Sequence, residues 1–106
     1  MEKPRCCDLN SFGKDAVLLA GFLKVVAEEN RLKILCLLKQ GDRCVCDIWQ
    51  DLEIAQNLAS HHLKVLKDSC LIDSDKKGLK VVYSLNEKNI NVFQTLLSNF
   101  LSDEKR

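Results

Sequence analysis

Cysteines are the side chains in this sequence best able to do chemistry, and there are six of them in 106 residues. Cys44 and Cys46 stand one residue apart in "DRCVCDIWQDL", at the entrance to what reads as an amphipathic helix. Cys6 and Cys7 are adjacent in a polar leader beside Pro4 and Arg5, where packing does not explain them. As thiolates such residues bind soft metals and metalloids, and in pairs they can be oxidised. A helix N-terminus favours the thiolate, which makes Cys44, at or near an N-cap, a candidate ligand together with Cys46. In a regular helix side chains at i and i+2 diverge by about 200°. Both can grip one ion only if the first turn is loosened, so Cys46 is expected to contribute less than Cys44. Three sulfurs would suit As(III), Pb(II) or Bi(III), and four would suit Cd(II) or Zn(II). Cys36, inside "RLKILCLLK", is expected in the core.

The bulk properties exclude several classes. With 46% hydrophobic residues the chain suits one compact domain. A disulfide scaffold would need an oxidising compartment and a poorer core. The formal net charge of +1 gives no global basic field, so any nucleic-acid face must be local. The longest apolar run, "AVLLAGFL", is far short of the roughly 18 residues that span a bilayer, and the N-terminus has no apolar signal core. The expected location is cytoplasmic. No nucleophile, base and orienting group converge, so no enzyme is expected.

Positioning these cysteines requires five helices and one hairpin. Residues 15–29 are apolar on nearly every face and need covering on all sides, which suggests a subunit interface. Residues 31–40 follow Asn30 as an N-cap and stop at Gly41 in a left-handed C-cap. A third helix, 45–52, sets Val45, Ile48 and Leu52 at i, i+3, i+7, with Asp47 in its first turn. The fourth, 55–69, carries Ala59, Leu63 and Leu66 on one stripe and Gln56, Asn57, Ser60, His61, Lys64 and Lys67 on the other; His62 lies nearer the apolar side, as a packing residue. Next comes a hairpin turning at Asp75-Lys76-Lys77-Gly78, with Leu79, Val81, Tyr83 and Leu85 alternating onto one side. A last helix from Asn86 has more apolar surface than the core requires and is paired with the first helix across a dimer axis.

This order is that of a mainly α (α+β) winged helix-turn-helix with a two-stranded β-hairpin wing, a homodimer through its first and last helices. The division is a leader (1–14), the winged-helix and dimerisation domain (15–102) and a polar tail (103–106). Gln56, Asn57, Ser60, His61, Lys64 and Lys67 would face double-stranded DNA from the fourth helix, with Lys76, Lys77 and Lys80 on phosphates.

The stretches "CVCDIW", "NLASHHLKVLKDSCLI" and "GLKVVYSL" resemble the ArsR/SmtB family of small dimeric metal-responsive repressors, over about Ala16 to Leu101. The resemblance implies a homodimer that binds operator DNA when metal-free and is released by a thiophilic inducer such as As(III), Cd(II) or Pb(II), with no ion required for folding and no small-molecule substrate. One arsenite-sensing branch uses CxCxxC in the third helix; here Cys44 and Cys46 match and Trp49 takes the third place. Other branches bring leader cysteines of one subunit to the third helix of the other, which implies Cys6 and Cys7 as further ligands. A last-helix zinc site is not implied, because the matching stretch reads Glu87-Lys88-Asn89. Glu53 and Ala55 replace the usual glycine and Ser or Thr cap before the recognition helix, weakening capping by about 1 kcal/mol. Cys70 replaces a glycine after that helix and must be strained or shift the cap. A thiol redox or persulfide sensor of the same fold would pair the second and last helices, and the last has no cysteine. A thiol metal buffer without DNA binding would leave the basic hairpin unexplained.

Overall fold

A computed structural model describes residues 13–102. The order is α1 (Lys14–Val26), α2 (Glu29–Gln40), β1 (Arg43–Cys44), α3 (Val45–Leu52), α4 (Gln56–Asp68), β2 (Ile72–Lys77), β3 (Lys80–Leu85) and α5 (Glu87–Leu101). The five helices and the hairpin are those the periodicity predicts. One element is new: β1 adds to β3, making a three-stranded antiparallel sheet in the order β1-β3-β2 rather than a two-stranded wing. Two residues are too few to show an alternating pattern, so this strand has no sequence signature.

The core forms where the amphipathic stripes meet. Phe22 and Val26 of α1, Ile34 and Leu38 of α2, Ile48 of α3, Leu63 and Leu66 of α4, and Leu71 and Ile72 entering β2 are buried together. Tyr83, Leu85, Ile90 and Phe93 close it from β3 and α5. Full burial of a side chain such as Ile48 contributes about 1.5–3 kcal/mol. Because the α2 stripe runs through Ile34 and Leu38, Cys36 turns away from it and is exposed, so the expectation of a core cysteine fails. Within one chain α1 packs on α5, with the Phe22 and Phe93 rings 5.2 Å apart. Val17, Leu18 and Leu23 of α1 and Phe100 and Leu101 of α5 remain exposed.

Local chemistry shifts several boundaries. The α2 N-cap is Glu28, whose Oε1 accepts from the Arg31 N–H at 2.9 Å; Asn30 lies inside the first turn. Gly41 has φ 153° and ψ 162°, a glycine-favouring conformation but not the left-handed cap expected. The hairpin strands extend through the lysines to a two-residue turn at 78–79, since Asp75, Lys76 and Lys77 find ladder partners in Val82, Val81 and Lys80. Gly78 has φ 66°, which suits glycine in the first turn position, and Leu79 is fully exposed at the tip instead of joining the apolar face.

Helices α3 and α4 end alike. The Ile54 N–H donates to the Trp49 carbonyl and the Glu53 N–H to that of Gln50; the Leu71 N–H donates to Leu66 and that of Cys70 to Lys67. Each is a Schellman closure, which places a left-handed residue where glycine is favoured. Glu53 (φ 58°) and Cys70 (φ 65°) occupy those places. For Cys70 the strained alternative therefore holds. Ala55, the α4 N-cap, makes no side-chain capping bond, as its residue type dictates.

Candidate metal centre and nucleic-acid interface

Cys44 ends β1 and caps α3 in extended conformation (φ −83°, ψ 163°), so it lies outside the helical screw. The divergence expected of i and i+2 therefore does not apply: the Cys44 and Cys46 sulfurs are 2.8 Å apart. The Cys44 thiol also reaches Asp47 Oδ2 at 3.3 Å. These three donors, within 4.8 Å of one another, are the metal-competent group among the described residues. Sequence reasoning placed Asp47 only as a dipole charge. The signal for its part in the site is its spacing, since Asp47 stands three residues after the cap, where a capping box sets its acid.

Cys44 is buried, Cys46 half-buried and Asp47 exposed. The hydrogen bond to Cys44 pushes the Cys46 thiol above its ordinary range, reinforced by desolvation and by the charges of Cys44 and Asp47, against a smaller opposing pull from Lys80. For Cys46, contrary to the expectation from the helix N-terminus, the immediate neighbours outweigh the dipole. A soft ion would have to displace that proton. The donor set fits one, with two sulfurs and an adjacent carboxylate. Bonds of about 2.3 Å in a tetrahedron set sulfurs about 3.8 Å apart, so the pair must open by about 1 Å. Trp49, in the third motif place, has its indole N–H buried with no partner among the described residues. Cys6 and Cys7 lie outside the described residues.

The surface expected to face DNA is built separately. Ala59, His62, Leu63 and Leu66 bury one face of α4, and Gln56, Asn57, Ser60, His61, Lys64 and Lys67 are exposed on the other. Gln56, Asn57 and Ser60 line one open concavity. Lys64 pairs with Asp68 at 3.0 Å, and Lys67 donates to Ser74 Oγ at 2.6 Å, tying α4 to β2. Lys76, Lys77 and Lys80 are exposed at the wing tip. On the buried face of α4, midway along the helix, Arg31 Nη1 lies 3.2 Å from His62 Nδ1, and Arg31 Nε donates to the Val25 carbonyl at 2.6 Å. Arginine only donates, so Nδ1 accepts and the proton sits on Nε2, facing Glu28 Oε1 at 3.7 Å. Burial lowers the His62 pKa below 6.5, although Glu28 pulls the other way. His62 is thus a packing residue, as expected, with a polar clamp to α2 that the sequence did not reveal.

Known proteins match this arrangement. Residues 28–74 match the model of the bacterial regulatory protein arsR family. The arsenical resistance operon repressor of Staphylococcus aureus is 36% identical over 84 residues, covering 73% of this chain and 81% of that protein. The cadmium resistance transcriptional regulatory protein CadC of Lactococcus lactis is 37% identical over 83 residues, covering 77% and 68%. The homodimeric winged helix-turn-helix DNA-binding domain of a possible ArsR-family transcriptional regulator from Mycobacterium bovis superposes with a TM-score of 0.66 at 30% identity, covering 76% of this chain and 75% of that one. By these likenesses this chain belongs to the arsR family of bacterial regulatory proteins and is a winged-helix transcriptional regulator rather than an enzyme.

Proposed function

We propose that this regulator is a cytoplasmic homodimeric repressor that holds operator DNA in its metal-free state and is released by a thiophilic ion such as As(III), Cd(II) or Pb(II). The observation that carries the reading is the Cys44–Cys46 pair, two free sulfurs 2.8 Å apart at the start of the helix that supports α4. The relatives' names point to arsenic and cadmium. Cys6 and Cys7 of the partner subunit complete the ligand set in this reading. The exposed apolar residues of α1 and α5 supply the dimer surface. Gln56, Asn57, Ser60 and His61 read bases, while Lys64, Lys67, Lys76, Lys77 and Lys80 meet phosphates. A bound ion supplies bonds to thiolates; the chain supplies the connection from α3 to α4.

Because linkage is reciprocal, an ion that binds the DNA-free dimer better weakens operator affinity by the same factor. Cys44→Ser should bind operator DNA as the wild type does and lose its response to all three ions. A Cys44→Ser protein still released by them would contradict the reading.

A further inference from the structure

The thiol centre and the wing share one face of the sheet. Cys44 pairs directly with Val82 of β3, and paired residues share a face. Strand alternation then puts Lys80, two residues before Val82, on that same face as the diagonal neighbour of Cys44, at a spacing of about 7–8 Å. Lys80 stands directly opposite Lys77. Two ammonium groups so placed repel, and neither has an ion pair among the described residues. Asp75, opposite Val82, and Asp73, opposite Ser84 and bonded to the Asn86 amide at 3.3 Å, are the other charges this strand pair puts on the face. Asp75 makes no ion pair with either lysine and cannot balance both, so the pair calls for a further anion, and two sources lie within its range: a DNA phosphate beyond the tip, and the sulfurs with Asp47 at the base. Lys80 is already close enough to the centre to favour the Cys46 thiolate.

We propose that Lys80 is the coupling residue between the thiol centre and DNA, serving a phosphate or the Cys44–Cys46–Asp47 group, so that each wing reads the centre built on its own β1 strand. This rests on the function proposed above. Two thiolates and the Asp47 carboxylate exceed the charge of a divalent ion by one. The loaded centre therefore draws Lys80 from the phosphate and leaves the wing without one of its contacts.

The test uses full-length reduced protein, its own upstream DNA and Cd(II) as the probe, with affinities measured across a salt series and saturation judged by sulfur-to-cadmium absorption. Each lost phosphate contact makes the slope of log K against log salt shallower by about 0.9, or roughly 2 for one lysine in each half of a dimer. Lys80→Gln should show that loss without cadmium, and cadmium should impose the same loss on the wild type. In Lys80→Gln, cadmium should then weaken binding by a much smaller factor than in the wild type, and Lys80→Arg should restore the response. An unchanged wild-type slope on cadmium loading, or an equal cadmium effect in Lys80→Gln and wild type, overturns the coupling role while leaving the repressor reading intact. Failure of the wild type to bind cadmium or to release DNA overturns both.

Discussion

Cys46→Ser separates the geometry of the folded centre from that of an ideal helix. In an ideal turn the Cys46 side chain would point away from Cys44 and its loss would matter little. In the structure Cys44 is an extended cap residue and the sulfurs are 2.8 Å apart, so the proposed site predicts Cys46 to be an equal donor. Complete four-ligand zinc sites contribute about 10–16 kcal/mol, so one ligand is worth roughly 3 kcal/mol, about a hundredfold in Kd. A serine hydroxyl replaces the thiol nearly isosterically but is a poor ligand for soft ions, and the backbone at Cys46 is ordinary helix, so folding should be unaffected. Competition for Cd(II) against a chelator of known affinity measures the change, followed by sulfur-to-metal absorption and by fluorescence of Trp49, the single tryptophan. Cys46→Ser and Cys44→Ser should lose comparable affinity. Wild-type affinity in Cys46→Ser, beside a large loss in Cys44→Ser, would refute the idea that the two sulfurs act as one chelating pair.

Three further outcomes follow from particular residues. Cys70→Gly should raise stability by up to about 1 kcal/mol, since glycine relieves the left-handed strain but loses more chain entropy on folding; Cys70→Ala should not, and urea midpoints distinguish them. The His62 pKa is lowered on folding, so the unfolded chain takes up its proton first and stability should fall as pH drops from about 6.5; His62→Gln, weaker at neutral pH, should lose less over that interval in the same urea assay. A heterodimer of one Cys44→Ser subunit and one subunit lacking Cys6 and Cys7 should keep one complete site if ligands come from opposite subunits, and cadmium titration should find half the wild-type capacity.

The elements legible in the sequence are those whose apolar spacing survives packing. Val45, Ile48 and Leu52 define α3, and Ala59, Leu63 and Leu66 define α4, because buried stripes must repeat with the helix. Cys36 is misread from its chain neighbours Ile34, Leu35, Leu37 and Leu38, which are all apolar; its neighbours on the helix surface, Lys33, Lys39 and Gln40, mark the exposed face it belongs to. The β1 strand and the Glu28–Arg31–His62 clamp depend on partners 31 to 40 residues away along the chain, which local pattern does not encode. The chemistry at Cys44 and Cys46 was visible in their type and spacing. Their convergence was not, because it depends on Cys44 being held extended by Val82.

The central claim is that filling the thiol centre empties the operator, and one titration tests it. Reduced protein bound to fluorescent upstream DNA is titrated with As(III), Cd(II) or Pb(II) while sulfur-to-metal absorption and DNA anisotropy are recorded on the same sample. The account predicts that the two signals change together and reach their end points at the same ion-to-protein ratio. Full development of the sulfur-to-metal absorption with the DNA still bound at unchanged affinity would contradict it.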